Sequence, residues 1–359
     1  MNRQLTLARI RKFTFRNATR IFIFGLAIFI LVRMPLFFTR TSLMNLASQA
    51  TIFGMAAIGL MFVILMGEID ISLGSVIYLS GVLGVRAYYA TGQVAVSIIV
   101  GIATGLVFGF VNGFLNAKLR LPSMVLTMST QFIGRGIGNL VIGADAVINV
   151  NEPDFQAIGQ GKIFGFPTCT LFLIAAIIIG WFVLNKTKYG RYVYAVGDNS
   201  DALKAAGVNV SLVRITSYMI AGFLAGLAGV INVSRVGGSS FGLAEGLEFT
   251  CIACCVVGGA SLKGGVGKIQ GTLLGIIVIA SINQLLRLFN VSTYLIDLVW
   301  GVVVVLTVAM DTLKNYQIRY EKEHELIYSQ IRLGFLSKLK AKLTSKKNKK
   351  EKQEEGEVK

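Results

Sequence analysis

Apolar positions run along this chain in blocks of roughly 18 to 25 residues that hold almost no charge; a bilayer core about 30 Å thick takes about 20 such residues per helical span. The blocks predict ten spans, near 20–39, 46–66, 71–90, 93–117, 122–143, 167–185, 212–234, 247–262, 269–289 and 292–313. Two of them are irregular. Ser72–Ala90 is interrupted by Gly74, Gly81, Gly84 and Arg86, and the eighth is short enough to be re-entrant. The expected fold class is all-α integral membrane, with broken or re-entrant helices among the spans. Ile21–Phe38 is long, carries Arg33 and lacks a small-x-small cleavage site, so it reads as a retained first span rather than a signal peptide.

Charge placement orients the spans. Of the net +17, the two ends supply +12: residues 1–20 hold six basic side chains, and residues 314–359 hold thirteen basic against seven acidic. Basic ends face the cytoplasm and anionic lipid. The even-to-odd connections then fall on the cytoplasmic side with Lys118, Arg120, Lys186, Lys188, Arg191, Lys204, Arg214, Lys263 and Lys268. The external connection at 143–166 carries Asp145, Glu152 and Asp154 against Lys162 alone. One connection breaks the rule, holding Glu68 and Asp70 and no base. The organisation expected is a basic cytoplasmic stretch 1–19, a transmembrane domain 20–313, and a basic cytoplasmic tail 314–359. In the tail, Leu326, Ile327, Ile331, Leu333, Leu336 and Leu339 alternate with charge as in an amphipathic helix, and a low-complexity run follows Thr344. The basic excess is thus assigned to membrane lipid and not to nucleic acid.

The cytoplasmic connection 186–211 contains a segment, Ser200–Ala206, that reads as a short helix capped by Ser200 or Asn199 and stopped by Gly207. It suits either a docking element or an ordinary loop. Among polar residues, Glu68, Asp70 and Ser72 in GEIDISLGS come first, because carboxylates within membranes are costly and usually functional. They could relay protons or bind a cation, or Asp70 and Ser72 could cap a helix start. Asn112 and Asn116 lie four apart on one helical face, and Asn232, Asn283 and Gln284 interrupt other apolar runs. Such amides hydrogen-bond sugar hydroxyls or join helix to helix. Arg135 and Asp297 also sit within spans, where pairing with each other or with backbone is the default.

Enzyme chemistry finds little support. Gly258–Lys268, GGASLKGGVGK, imitates a phosphate loop, but Leu262 stands where the first glycine is required and Ile269 where Ser or Thr is. The single histidine, His324, lies in the tail. Cys251, Cys254 and Cys255 imitate a ligand spacing without a fourth partner and, with Cys169, read as small packing residues, so no metal is expected.

Three groups of residues resemble the membrane permeases of ribose-, xylose- and galactose-class ABC importers. They are GEIDISLGSV at 67–76, VNGFLNAKLRLPSMVLTMST at 111–130, and the stretch from YGRYVYAVGDNSDALKAAGVNV to CVVGGASLKGGVGKIQGTLLG. The resemblance runs from about residue 45 to 312. It implies a permease subunit that pairs with a second copy or a paralogue in the bacterial cytoplasmic membrane. A separate ATP-binding cassette ATPase would use the ATP, and an extracytoplasmic sugar-binding protein would deliver the sugar. It also implies that Ser200, Asp201, Ala202, Leu203, Lys204, Ala205, Ala206 and Gly207 dock the ATPase, and that this chain binds no cofactor of its own. Departures are Glu68, where the family motif has glycine, and the three cysteines, where it has Ala, Ile or Val. Related permeases handle nucleosides, an autoinducer sugar and branched-chain amino acids. An ion-coupled secondary transporter using Glu68, Asp70 or Asp297 is the competing reading.

Overall fold

The computed structural model describes residues 35–144 and 146–292, with isolated positions from 295 to 309. The basic N-terminus, nearly all of the first span, Asp145, most of the tenth span with Asp297, His324 and the tail lie outside the described residues. The described elements belong to one unit, Met1–Thr307.

A 3-10 turn at Pro35–Phe38 leads to α1 (Arg40–Leu65), whose N-cap Thr39 accepts a hydrogen bond from Ser42 N at 3.4 Å. There follow α2 (Leu73–Thr91), α3 (Val94–Leu119) and α4 (Ser123–Ile142). A connection then holds β1 (Val147–Asn149), α5 (Pro153–Gln160), β2 (Lys162–Ile163) and β3 (Phe166–Pro167). The chain continues with α6 (Thr168–Lys186), α7 (Lys188–Ala205), α8 (Val210–Val236), β4 (Gly238–Ser240), α9 (Leu247–Val257) and α10 (Ile269–Leu288). Five of these helices, α1, α3, α6, α8 and α10, are long and apolar enough to cross a membrane. Seven of the predicted spans fall on long helices within several residues; the eighth falls on α9, which is only 11 residues long.

α1 is the axis of the fold, and every residue from Ala50 to Leu65 is buried. It is wrapped by α6, α8, α9 and α10, while α3 and α2 pack on the far side of α8. In lipid the apolar effect gives helices no reason to associate, so close packing and small residues decide their seams. The faces turned away from this core are apolar too: Ile99, Val107 and Phe110 on α3, Phe132 and Leu140 on α4, and Ile178 and Phe182 on α6 are exposed. Such surfaces suit acyl chains.

The interruption expected in Ser72–Ala90 does not occur. α2 runs unbroken through Gly74, Gly81, Gly84 and Arg86. Its glycines are points of close approach: a Cβ on Gly81 would stand 2.9 Å from Gly229 O on α8, and one on Gly84 would stand 2.9 Å from Ser97 Oγ on α3. Arg86 Nη2 is satisfied at 2.8 Å by Val141 O at the end of α4. The break falls earlier, in the turn at 66–72.

The connection 146–167 is better ordered than a polar loop. β1 pairs antiparallel with β4, and α5 is locked to the end of α8. There Gly159 N donates to Ser234 Oγ at 2.8 Å and Ser234 Oγ donates to Phe155 O at 2.6 Å. This connection therefore braces the same end of the bundle at which α8 and α10 finish.

Candidate functional site

Two separate polar groupings emerge from the residues singled out in the sequence. The first is the turn between α1 and α2. Asp70 is buried, and its Oδ1 accepts from Ser72 N at 2.9 Å and from Ser72 Oγ at 2.6 Å. Ser72 is the N-cap position of α2, yet its side chain makes no capping bond. The cap role expected of Ser72 is thus taken by an Asx turn on Asp70. The Ser72 hydroxyl instead receives Asn112 Nδ2 of α3 at 2.9 Å. Ile69 N donates to Ser123 Oγ at 3.3 Å and Ile71 N to Thr127 Oγ1 at 3.0 Å, so α4 supplies the acceptors for the turn's backbone. Glu68 Oε1 lies 2.9 Å from Arg214 Nη1 of α8, and Asn116 Oδ1 accepts from the same guanidinium nitrogen at 3.3 Å. Glu68, Asp70, Ser72, Asn112 and Asn116 thus gather around the turn in two hydrogen-bonded sets, Asp70–Ser72–Asn112 between α2 and α3 and Glu68–Arg214–Asn116 between the turn, α8 and α3.

The second grouping follows from the shortness of α9. Eleven residues span about 16 Å, half of a bilayer core. α9 runs parallel to the buried part of α1: Cys251 Sγ donates to Phe53 O at 3.4 Å and Cys255 Sγ to Ala57 O at 3.3 Å. Among the described residues no helix fills the bundle above its first residue, and a cavity of about 1200 Å³ opens there. Asn232 of α8 and Asn283 of α10 line it, as do Gln49, Thr250, Arg235 and Arg287. Apolar walls come from Ile52, Phe53, Leu247 and Phe249. Amides and guanidinium groups set among apolar walls are suited to a polyhydroxylated solute: each offers two or more directional donors, and the walls receive C–H faces. Gln284 faces elsewhere and donates to Ser42 Oγ at 3.1 Å, joining α10 to α1.

Sequence reasoning did not single out Gln49, Arg235, Thr250 or Arg287. An available signal was the position of Arg235 and Arg287 at apolar helix ends with no acidic neighbour in sequence. It also missed Glu248, which is buried at the start of α9 and accepts from Gln131 Nε2 at 2.9 Å. Arg135 donates to Leu243 O at 2.7 Å and stacks over the Tyr78 ring at 5.1 Å, which is the backbone pairing anticipated for it.

The segment 200–206 lies at the opposite end of the bundle from the cavity. α7 is kinked at Asn199, whose backbone leaves the helix at φ −157° and ψ 95°. Its side chain accepts from Asp201 N at 3.1 Å and Ala202 N at 3.0 Å, so Asn199 and not Ser200 is the cap. Gly207, at φ +82°, ends the turn. Asp201, Ala202, Lys204, Ala205, Ala206 and Gly207 are exposed. The N-terminal half of α7 is anchored instead. Tyr189 OH shares a hydrogen bond with Ser217 Oγ at 2.8 Å, and Tyr194 OH donates to Gly267 O at 2.9 Å. Burial raises the pKa of both phenols, and the Tyr189 bonds to Ser217 and Thr216 oppose the shift. Tyr194 therefore stays a hydrogen-bond donor at neutral pH.

A bundle of membrane-length helices with a polar cavity at one end and an exposed short helix at the other suits a membrane permease. The family profile described as branched-chain amino acid transport system / permease component matches residues 42–308, and the chain belongs to that family. It is similar to the ribose import permease of Bacillus subtilis (strain 168), 35% identical over 294 residues that cover 82% of this chain and 91% of that protein. It is also similar to an L-arabinose ABC transporter permease of Azospirillum brasilense, at 33% over 80% of this chain and 85% of that one. The Escherichia coli (strain K12) ribose import permease is 32% identical over 78% and 88%. No solved structure matches the chain. The protein is thus a multi-pass membrane permease component.

Proposed function

We propose that this chain forms half of the membrane channel of a binding-protein-dependent ABC importer and passes a monosaccharide of the ribose, arabinose, xylose or galactose class into the cell. The observation that carries this reading is the cavity flanked by Asn232, Asn283, Arg235 and Arg287, taken with the named relatives, which are ribose and arabinose permeases. The chain spans the membrane ten times with both ends in the cytoplasm, so the cavity opens outward, toward a sugar-binding protein. Ser200–Gly207 faces inward and receives a separate ATPase, where all ATP is hydrolysed. A second copy or a paralogue completes the channel. The pairing of Glu68 with Arg214 counts against a coupling carboxylate, because an ion-coupled carrier needs that carboxylate free to exchange its ion.

Reconstitution in liposomes tests this reading. Uptake of labelled ribose, arabinose, xylose and galactose is expected only when the ATPase, the binding protein and ATP are all supplied. Uptake by the chain alone, driven by a proton or sodium gradient, would sink it. Within the complete transporter, Asn232→Ala with Asn283→Ala is expected to raise the half-saturating concentration of delivered sugar about tenfold, the worth of one or two net hydrogen bonds. Unchanged kinetics in that double variant would remove the cavity from the sugar's path.

A further inference from the structure

The glycine-rich run Gly258–Lys268 has no part in the reading above, yet its backbone is held by close contacts on several sides. Two turns fold it: Ser261 N donates to Val266 O at 2.9 Å and Gly264 N to Ser261 O at 3.0 Å. They carry Gly264 and Gly265 against two other segments at once. Gly265 N donates to Leu65 O, the last residue of α1, at 2.8 Å. A Cβ on Gly264 would stand 2.6 Å from Gly67 N and 2.9 Å from Gly197 Cα, and one on Gly67 would stand 2.9 Å from Lys263 O. A Cβ on Gly197 would overlap Leu65 O. Gly67 and Gly264 also have φ of +78° and +87°, a region where only glycine is at ease. Three segments far apart in sequence thus each bring a glycine to one point, where main chain meets main chain.

Each of the three leads somewhere. Gly197 lies two residues before the Asn199 kink and the exposed helix that follows it. Gly67 opens the turn whose Asp70 and Ser72 hold the start of α2 and whose Glu68 grips Arg214 near the base of α8. The glycine-rich run itself descends from α9, whose Leu247 and Thr250 line the cavity. We propose that this three-glycine contact is the joint that carries displacement of the 200–206 helix to α9 and α2, and so to the cavity. Gly67, Gly197 and Gly264 are positioning residues, and Tyr194, through its bond to Gly267 O, holds α7 against the loop. Contacts between backbones have no rotamers to absorb a shift, so a small movement of α7 passes on undiminished. This inference rests on the reading that 200–206 docks an ATPase.

The experiment uses the complete transporter in proteoliposomes and measures sugar taken up per ATP hydrolysed, alongside co-purification of the ATPase. Gly197→Ala and Gly264→Ala are expected to keep the ATPase bound and hydrolysing while uptake per ATP falls about tenfold, a coupling change of ordinary size. Gly136→Ala, on α4 with nothing within 4 Å, is expected to match the unaltered chain. Should the glycine variants not reach the membrane, Tyr194→Phe decides, with about a threefold fall expected. Unaltered uptake per ATP in Tyr194→Phe and in whichever glycine variants fold overturns the joint. Loss of the ATPase from Gly197→Ala alone also overturns it, since the contact would then shape docking and not transmission. Failure of the unaltered chain to hold an ATPase would instead refute the underlying reading.

Discussion

Gly105→Val is expected to leave no folded permease. Gly101, Gly105, Gly109 and Gly113 recur every fourth residue along α3 and face α8. A Cβ on Gly105 would overlap Gly222 O, one on Gly109 would overlap Tyr218 O, and one on Gly113 would stand 2.7 Å from Ile215 Cα. The colliding atoms are backbone, so no rotamer change makes room. Valine would push the two helices apart along a seam that runs most of the 26 residues of α3, and dispersion contacts would be lost over that whole length. The cost should exceed about 4 kcal/mol, beyond the range of ordinary substitutions. The check is the fraction of detergent-extracted protein that elutes as a single species, with helix melting followed by circular dichroism. Val107→Ala, at an exposed position of the same helix, should behave as the unaltered chain. A Gly105→Val protein with an unchanged melting curve would show that the seam does not hold the fold.

Arg214→Ala carries the second large effect. The Glu68 side chain is 9% exposed and that of Arg214 is 26% exposed, with 2.9 Å between them. Removing the guanidinium leaves a nearly buried carboxylate without its counter-charge, and the Asn116 amide oxygen without a donor. Breaking a buried pair from one side costs about 3–5 kcal/mol, most of it the penalty on the abandoned partner. The signature is therefore in the rescue. Glu68→Gln added to Arg214→Met should recover most of the lost thermal stability, because the uncompensated charge has gone. If the double variant is as unstable as Arg214→Ala, the deficit lies in packing and the charge argument fails.

Much of the architecture could be read in the sequence because its causes are local. Long apolar blocks locate α1 to α4, α6, α8 and α10 within several residues, and Gly207 marks the end of the short helix after Asn199, whereas α5 and the first half of α7 lie in stretches read as connections. The short eighth block was visibly odd, but its consequence was not visible. A cavity exists only once α1, α8 and α10 are seen to surround the space that α9 fails to fill. The polar residues around Asp70 were found as a list and not as bonded sets. Ser72 meets Asn112 across 40 positions and Glu68 meets Arg214 across 146, and no periodicity encodes such pairings. The four-residue glycine repeat in α3, among the chain's 40 glycines, is a helix-contact signal in the sequence, but only the fold shows that α8 is the helix it meets. The glycine-rich loop departs from a phosphate loop already in its sequence, at Leu262 and Ile269. What it does instead depends on Gly67 and Gly197, which no local pattern links to it.

The four cysteines have an experimental consequence. Cys169, Cys251, Cys254 and Cys255 are the chain's only thiols, and all four are buried, with two of them hydrogen-bonded to carbonyls of α1. Aqueous maleimides need an accessible thiolate, so the native chain offers them a silent background. A reporter cysteine placed at Asn283 or Asp201 can then be labelled without first stripping the protein of its own. Cys251 or Cys255 becoming reactive during turnover dates the moment at which α9 parts from α1.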